Sequence, residues 1–131
     1  MSQVTDDRRY TKSHEWVKPL DDGTVEVGIT DHAQHALGDL VFVEVPDADR
    51  VLAAGQACAV VESVKAASDV YAPIAGTVVA VNAELGSTPE LINQDPYGKG
   101  WMLRLRPASA DAVAGLLSAA DYQAHLAAAG D

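Results

Sequence analysis

Lys65 is the residue of this 131-residue chain best placed to do chemistry. It lies in Val60-Val61-Glu62-Ser63-Val64-Lys65-Ala66-Ala67-Ser68-Asp69-Val70-Tyr71-Ala72-Pro73, and its nearest fellow lysines are Lys18 and Lys99. Solubility alone does not call for one lysine between two hydrophobic runs. A lysine that an enzyme must find and modify has this setting: one isolated amine, with small neighbours that leave it reachable. The plain alternative is a solvated surface lysine without a role, which is what most lysines are.

Other reactive types lead nowhere comparable. Cys58, among Ala57, Ala59 and Val60, reads as a small core residue, and a single cysteine allows no internal disulfide. His32 and His35 are three apart in a short helical stretch, but no third ligand of suitable spacing accompanies them. No Ser/His/Asp order, phosphate-binding glycine loop or paired-cysteine signature is present, so no enzyme site can be assembled. Trp16 and Trp101 read as core or docking aromatics.

Composition narrows the classes further. Hydrophobic residues make up 48% of the chain, the level of an ordinary globular domain with one core. The net charge of −10 repels nucleic acid and anionic lipid surfaces. It suits a carrier that must not adhere, or one steered toward basic patches on partners. No apolar run approaches the roughly 20 residues that span a bilayer. The start, Met1 to Arg9, lacks a secretory apolar core, and its aspartates argue against a transit peptide. A cytoplasmic, single-domain protein of bacterial type is expected over 1–131, with 1–9 as a flexible N-terminal tail.

The elements that must position Lys65 are mostly strands. Val25, Val27 and Ile29 alternate with Thr24, Glu26 and Gly28, and Asp21-Asp22-Gly23 is a tight-turn signal, so residues 14–30 read as a β-hairpin. Asp31 through Leu37 reads as a short helix, capped by Asp31 with Gln34 in reciprocal position and ended by Gly38. Leu40–Val45, Gln56–Val61, Thr77–Val81 and Trp101–Arg106 read as strands. Ser109 and Ser118 can each cap a helix in the alanine-rich tail, so one or two C-terminal helices are expected. Around Lys65 the local signals divide. Val60, Val64, Ala67 and Tyr71 fall at helical spacing, whereas Ser63, Ser68-Asp69 and Pro73 favour a turn. A faint repeat pairs Gly23-Thr24-Val25…Leu37-Gly38 with Gly76-Thr77-Val78…Leu85-Gly86, and implies two similar β halves.

Laid out in order, the chain resembles the H protein family of the glycine cleavage system. The matching segments are Tyr10-Thr11-Lys12-Ser13-His14-Glu15-Trp16-Val17, Val27 to Gln34, Leu37-Gly38-Asp39 to Pro46, and Val61 to Asp69. They continue through Tyr71-Ala72-Pro73, Gly76, Val81-Asn82, Pro89 to Asn93, and Asp95 to Trp101. The resemblance covers roughly residues 8 to 125. It implies a mainly β fold: a flattened β barrel, or barrel-sandwich hybrid, with quasi-two-fold halves, short helices and a C-terminal helix. It also implies that Lys65 sits at a hairpin tip, which resolves the local ambiguity.

The family's modified lysine matches Lys65, so the resemblance implies lipoic acid held there as an amide. The protein would then be a non-catalytic carrier. It would take the aminomethyl group of glycine from glycine decarboxylase to the tetrahydrofolate-dependent aminomethyltransferase, and be reoxidised by dihydrolipoamide dehydrogenase. A lipoate-attaching enzyme is a further implied partner. Glu62 and Gly76 match positions tied to recognition by that enzyme. Ser13, Glu15, His35 and Asp69 match positions that line a cleft for the loaded arm. Biotin carriage shares the fold, but biotin acceptors usually flank the lysine with methionines, where this chain has Val64 and Ala66. A role as lipoate donor to other lipoyl domains and a role as unmodified scaffold are the remaining readings.

Overall fold

A computed structural model of the chain describes residues 4–109 and 111–128. Its strands are β1 (Arg9–Tyr10), β2 (Glu15–Pro19), β3 (Val25–Ile29), β4 (Leu40–Glu44), β5 (Val51–Leu52), β6 (Ala57–Ser63), β7 (Ala67–Tyr71), β8 (Gly76–Val81) and β9 (Leu103–Pro107). Three α-helices join them: α1 (Asp31–Leu37), α2 (Leu91–Gln94) and α3 (Ala119–Ala128). The strands form two sheets, ordered β1-β2-β3-β9-β8-β5 and β4-β6-β7, and every pairing is antiparallel. The mainly β architecture is thus as expected, in its open, sandwich-like form.

Period-two alternation explains the layers. Val25, Val27 and Ile29 of β3 point into one core with Val17, Leu103 and Leu105 from the large sheet. Val43, Val61 and Val70 from the small sheet complete it. The opposite face of β2 carries Trp16, which enters a second cluster with Tyr10, Tyr122 and Leu126. Gly28 lies directly across from Trp16, and a Cβ there would fall 2.7 Å from the indole ring. The glycine therefore makes room for the tryptophan, whose Nε1 donates to the Pro96 carbonyl at 2.9 Å. β3 and β8 flank β9, and each leads into a short helix, α1 or a 3₁₀ turn at Ala83–Gly86. These are the two segments that the sequence repeat paired.

Several local expectations shift. The cap of α1 is Thr30, whose hydroxyl accepts from the Ala33 amide; Asp31 is inside the first turn and accepts from the Gln34 side chain instead. Gly38 ends the helix as expected, at φ 85°. Trp101 precedes β9 and does not open it. Ser118 starts α3, but among the described residues Ser109 is followed by turns and a 3₁₀ segment at Val113–Gly115 and not by a second α-helix. In the stretch expected to be a flexible tail, residues 1–3 lie outside the described residues, and the rest is fastened. Arg8 is buried, stacks 4.6 Å over Trp16, donates to the Tyr97 carbonyl and pairs with Asp7. Burying a guanidinium demands such partners, and they fix the backbone on either side.

Gly76 shows what sheet contact demands of the chain. It pairs with Pro107 on one side and Leu52 on the other. A Cβ at this position would lie 2.6 Å from the Arg106 carbonyl oxygen, a backbone atom that cannot move aside without disturbing β9. Gly76→Ala should therefore lower unfolding free energy by about 1–3 kcal/mol. The check is urea denaturation, in which the midpoint should fall with an unchanged slope.

Candidate functional site

The β6–β7 hairpin carries Lys65. Glu62 pairs with Ala67 and Val61 with Ser68, leaving Val64, Lys65 and Ala66 to make the reversal. Ser63 closes it from both main chain and side chain. Its amide donates to the Ala66 carbonyl at 2.7 Å, and its hydroxyl accepts from the Ala66 amide at 3.1 Å. Serine at the first position of a turn does this readily. The result is a tip that is fixed and still open: Val64 is 87% exposed, and Lys65 and Ala66 are exposed with it. The lysine stem passes the end of α1, with Cε 3.5 Å from where a Cβ on Gly38 would sit. A hollow of about 230 Å³ lies there, lined by Leu37, Gly38, Asp39, Ser63, Val64 and Lys65.

The helical spacing around Lys65 does not mark a helix face. Val64, Ala67 and Tyr71 are all exposed, and Val70 is the buried residue of β7.

Glu62 is half-buried on β6, across from Phe42 of β4 and Ala67 of β7, three residues from the lysine. Gly76 belongs to the other sheet and is buried, with the packing reason given above.

Of the four cleft candidates, the structure joins Ser13 to Glu15, and places Asp69 on a strand that Glu15 also reaches. Glu15 is 2% exposed at the start of β2. Its Oε1 accepts from the Ser13 hydroxyl at 2.5 Å and the Thr11 hydroxyl at 2.6 Å, and its Oε2 accepts from the Tyr71 amide at 3.3 Å. The last bond crosses from the large sheet to β7, an edge strand of the small one. Asp69 is on that same strand, two residues earlier and exposed on the same side as Tyr71. His35 stands apart on α1, where its Nε2 lies 3.3 Å from Asp31. Its neighbour in sequence, His32, instead faces His14, with ring centroids 4.5 Å apart.

The electrostatics follow from burial. Desolvation pushes the Glu15 carboxyl above its ordinary value, and the Ser13, Thr11 and Tyr71 donors draw it back. Burial, with Glu15 nearby, pushes the Cys58 thiol up to about 11, so it is not a nucleophile at neutral pH. Among the described residues no group of three His, Cys, Asp or Glu side chains is arranged to hold a metal. Among the same residues, no helix is long and apolar enough to cross a membrane.

Sequence reasoning did not single out Thr11 or the Tyr71 amide. Thr11 is four residues before Glu15, and a hydroxyl so near a carboxylate was the available signal. The Tyr71 contact joins residues 56 apart and left none. The turn holding Thr11 and Ser13 is itself braced. His14 sits at φ 73°, and its Nδ1 lies 2.7 Å from the Tyr122 hydroxyl on α3, which also meets the Thr30 hydroxyl at 2.8 Å.

Comparison with known proteins agrees with this geometry. The family model described as Glycine cleavage H-protein matches residues 8–129. The glycine cleavage system H protein of Psychrobacter sp. (strain PRwf-1) is 60% identical over 126 residues, covering 96% of this chain and 100% of that protein. That of Alkalilimnicola ehrlichii is 57% identical over 123 residues, covering 94% of this chain and 95% of that protein. The crystal structure of a glycine cleavage system H protein from Mycobacterium marinum superposes with a TM-score of 0.86 at 42% identity, covering 95% of this chain and 99% of that one. A match of this length and identity has one consequence: the chain belongs to the glycine cleavage H-protein family.

Proposed function

We propose that this chain is the lipoyl carrier of a glycine cleavage system, acylated through the Lys65 amine. It serves glycine decarboxylase, the tetrahydrofolate-dependent aminomethyltransferase and dihydrolipoamide dehydrogenase in turn. One observation carries the reading: Lys65 is exposed at the tip of a hairpin whose backbone is held by Ser63 and by two paired strands. A modifying enzyme needs an amine it can enclose on a backbone that stays in place, and this tip offers both. The residues fit the group. The amine projects from an open surface, and its neighbours Val64 and Ala66 leave it unobstructed. When bound, lipoate supplies a dithiolane that accepts the one-carbon unit with reduction of its disulfide, chemistry that no side chain of this protein offers.

The chain's own part is presentation and protection. Tethering makes the substrate a macromolecule, so each partner can read protein surface as well as the small group. The net charge of −10 favours partners with basic docking surfaces. Glu62, beside the tip, is the side chain assigned to recognition by the lipoate-attaching enzyme. Gly76 matches the family position too, and its contribution is to let β8 and β9 meet. Ser13, Glu15 and Asp69 make an anionic cleft wall suited to an ammonium group, and family correspondence adds His35 as an outer member. A charge-assisted bond from the ammonium to Glu15, away from water, would slow loss of ammonia and formaldehyde from the loaded carrier.

The first test is the intact mass of the protein from its native host, with peptide mapping across Lys65. A lipoyl increment on Lys65, abolished in Lys65→Arg, is the expected result; an unmodified Lys65 in a host that lipoylates its other lipoyl domains would reject the reading. Glu62→Gln should slow attachment of lipoate in vitro while leaving the thermal melt unchanged. Glu15→Gln should speed spontaneous release from the loaded carrier by about tenfold or more, the worth of one hydrogen bond to a charged group. A release rate equal to that of the wild type would remove Glu15 from the cleft's function.

A further inference from the structure

The three donors to Glu15 are not equivalent. Thr11 is half-buried, and both bonding capacities of its hydroxyl are engaged on Glu15 itself. It donates to Oε1 at 2.6 Å and accepts from the Glu15 amide at 3.0 Å. The main chain repeats the link, with the Thr11 amide donating to the Glu15 carbonyl at 2.9 Å. The His14 amide closes the same turn onto the Thr11 carbonyl at 3.1 Å. A hydroxyl with its proton and a lone pair so engaged has no free rotation. Ser13 is different. It is exposed, and apart from a long 3.3 Å contact with Thr11 its hydroxyl makes one bond, to Oε1 at 2.5 Å. That bond is short and charge-assisted, but it is held from an exposed position where water can take the hydroxyl's place. The Tyr71 amide is fixed in β7 and holds the other oxygen.

We propose that Thr11 is a positioning residue for Glu15, the fixed donor that keeps the buried carboxylate oriented and charged, while the exposed Ser13 hydroxyl is the donor that yields when a cationic amine enters. The second half rests on the cleft reading above; the first half stands on the hydrogen bonds alone. A carboxylate moved out of water stays ionised only if donors replace that water. Thr11 and Tyr71 remain after Ser13 turns away, so the carboxylate keeps a donor on each oxygen and gains one lone-pair direction for a new partner. From β6 the titratable group facing Glu15 is the Cys58 thiol, which stays protonated at neutral pH. On β7, which packs against Glu15 through the Tyr71 amide, the charged group is Asp69, exposed.

The test is a carbon-13 NMR titration of the Glu15 carboxyl in the unacylated protein, assigned with Glu15→Gln. Thr11→Val should raise the midpoint by about one pH unit. Thr11→Ser should bring it back to within about 0.3 of wild type, since it restores the hydroxyl. Ser13→Ala should move it less than Thr11→Val does. Thr11→Ala, which only removes atoms, is measured in parallel and read in the same way, so a folding failure of the valine variant does not leave the question open. The proposal is overturned if both Thr11→Val and Thr11→Ala titrate as wild type does, if Thr11→Ser fails to restore the midpoint, or if Ser13→Ala has the larger effect. No arm and no partner enzyme take part. If Thr11→Val moves the carboxyl and Glu15→Gln leaves release from the loaded carrier unchanged, the positioning role stands and the cleft reading falls.

Discussion

A carboxylate taken out of water must be hydrogen-bonded by the protein, and Glu15 imposes that demand where the two sheets meet. An unpaired buried charge costs several kcal/mol, so the surroundings of Glu15 are arranged around its oxygens. Thr11 and Ser13 are brought to one oxygen by a tight turn, and β7 is brought to the other through the Tyr71 amide. The turn is costly in its own way, because His14 must take a left-handed backbone conformation that only glycine adopts freely. Tyr122 of α3 bonds His14 and stacks on Tyr10 at 4.7 Å, which holds the turn in that conformation. The C-terminal helix is therefore part of the support for a carboxylate more than a hundred residues earlier in the chain.

One strand links the Lys65 tip to Glu15. β7 begins just after Lys65 and ends at Tyr71, whose amide Glu15 binds. The exposed tip and the buried carboxylate are thus the two ends of one five-residue strand. A single pairing, β6 with β7, sets both the placement of the lysine and that of the Tyr71 amide bound by Glu15. Packing density makes this arrangement stiff, since Val61 and Val70 anchor the hairpin in the main core while Val64 to Ala66 project from it. Burial is graded along the hairpin, from the core at Val61 to the open surface at Val64.

Where the sequence was legible, a short-range signal and the native structure agreed. The alternation of β3, the Asp21-Asp22-Gly23 reversal and the span of α1 were readable because each is set within a few residues. The misreadings came where two local signals competed. Asp31 and Thr30 can both cap a helix, and the choice fell to Thr30 because its hydroxyl also meets Tyr122, a contact from the far end of the chain. Ser109 had the chemistry of a cap, but the segment after it breaks into turns. The start of the chain looked polar and loose, yet Arg8 finds Trp16 and Tyr97, aromatics that no local rule places beside it.

By itself the sequence determined which residues could carry the chemistry: one isolated lysine between small neighbours, and hydroxyl and carboxyl groups in the Thr11 to Glu15 stretch. It also determined the β character of the chain, through period-two alternation and turn residues. Local signals left the conformation at Lys65 open between helix and hairpin, and it was the resemblance along the whole chain that implied a hairpin tip. The physical basis of that hairpin is tertiary, since it depends on β6 pairing with β4 as well as β7, contacts invisible to local propensity. Tertiary structure alone also decided that Glu15 is buried and shared between sheets, and that Gly76 is needed for a close approach of two backbones. Burial and proximity are properties of the packed whole, set by which distant segments exclude water together.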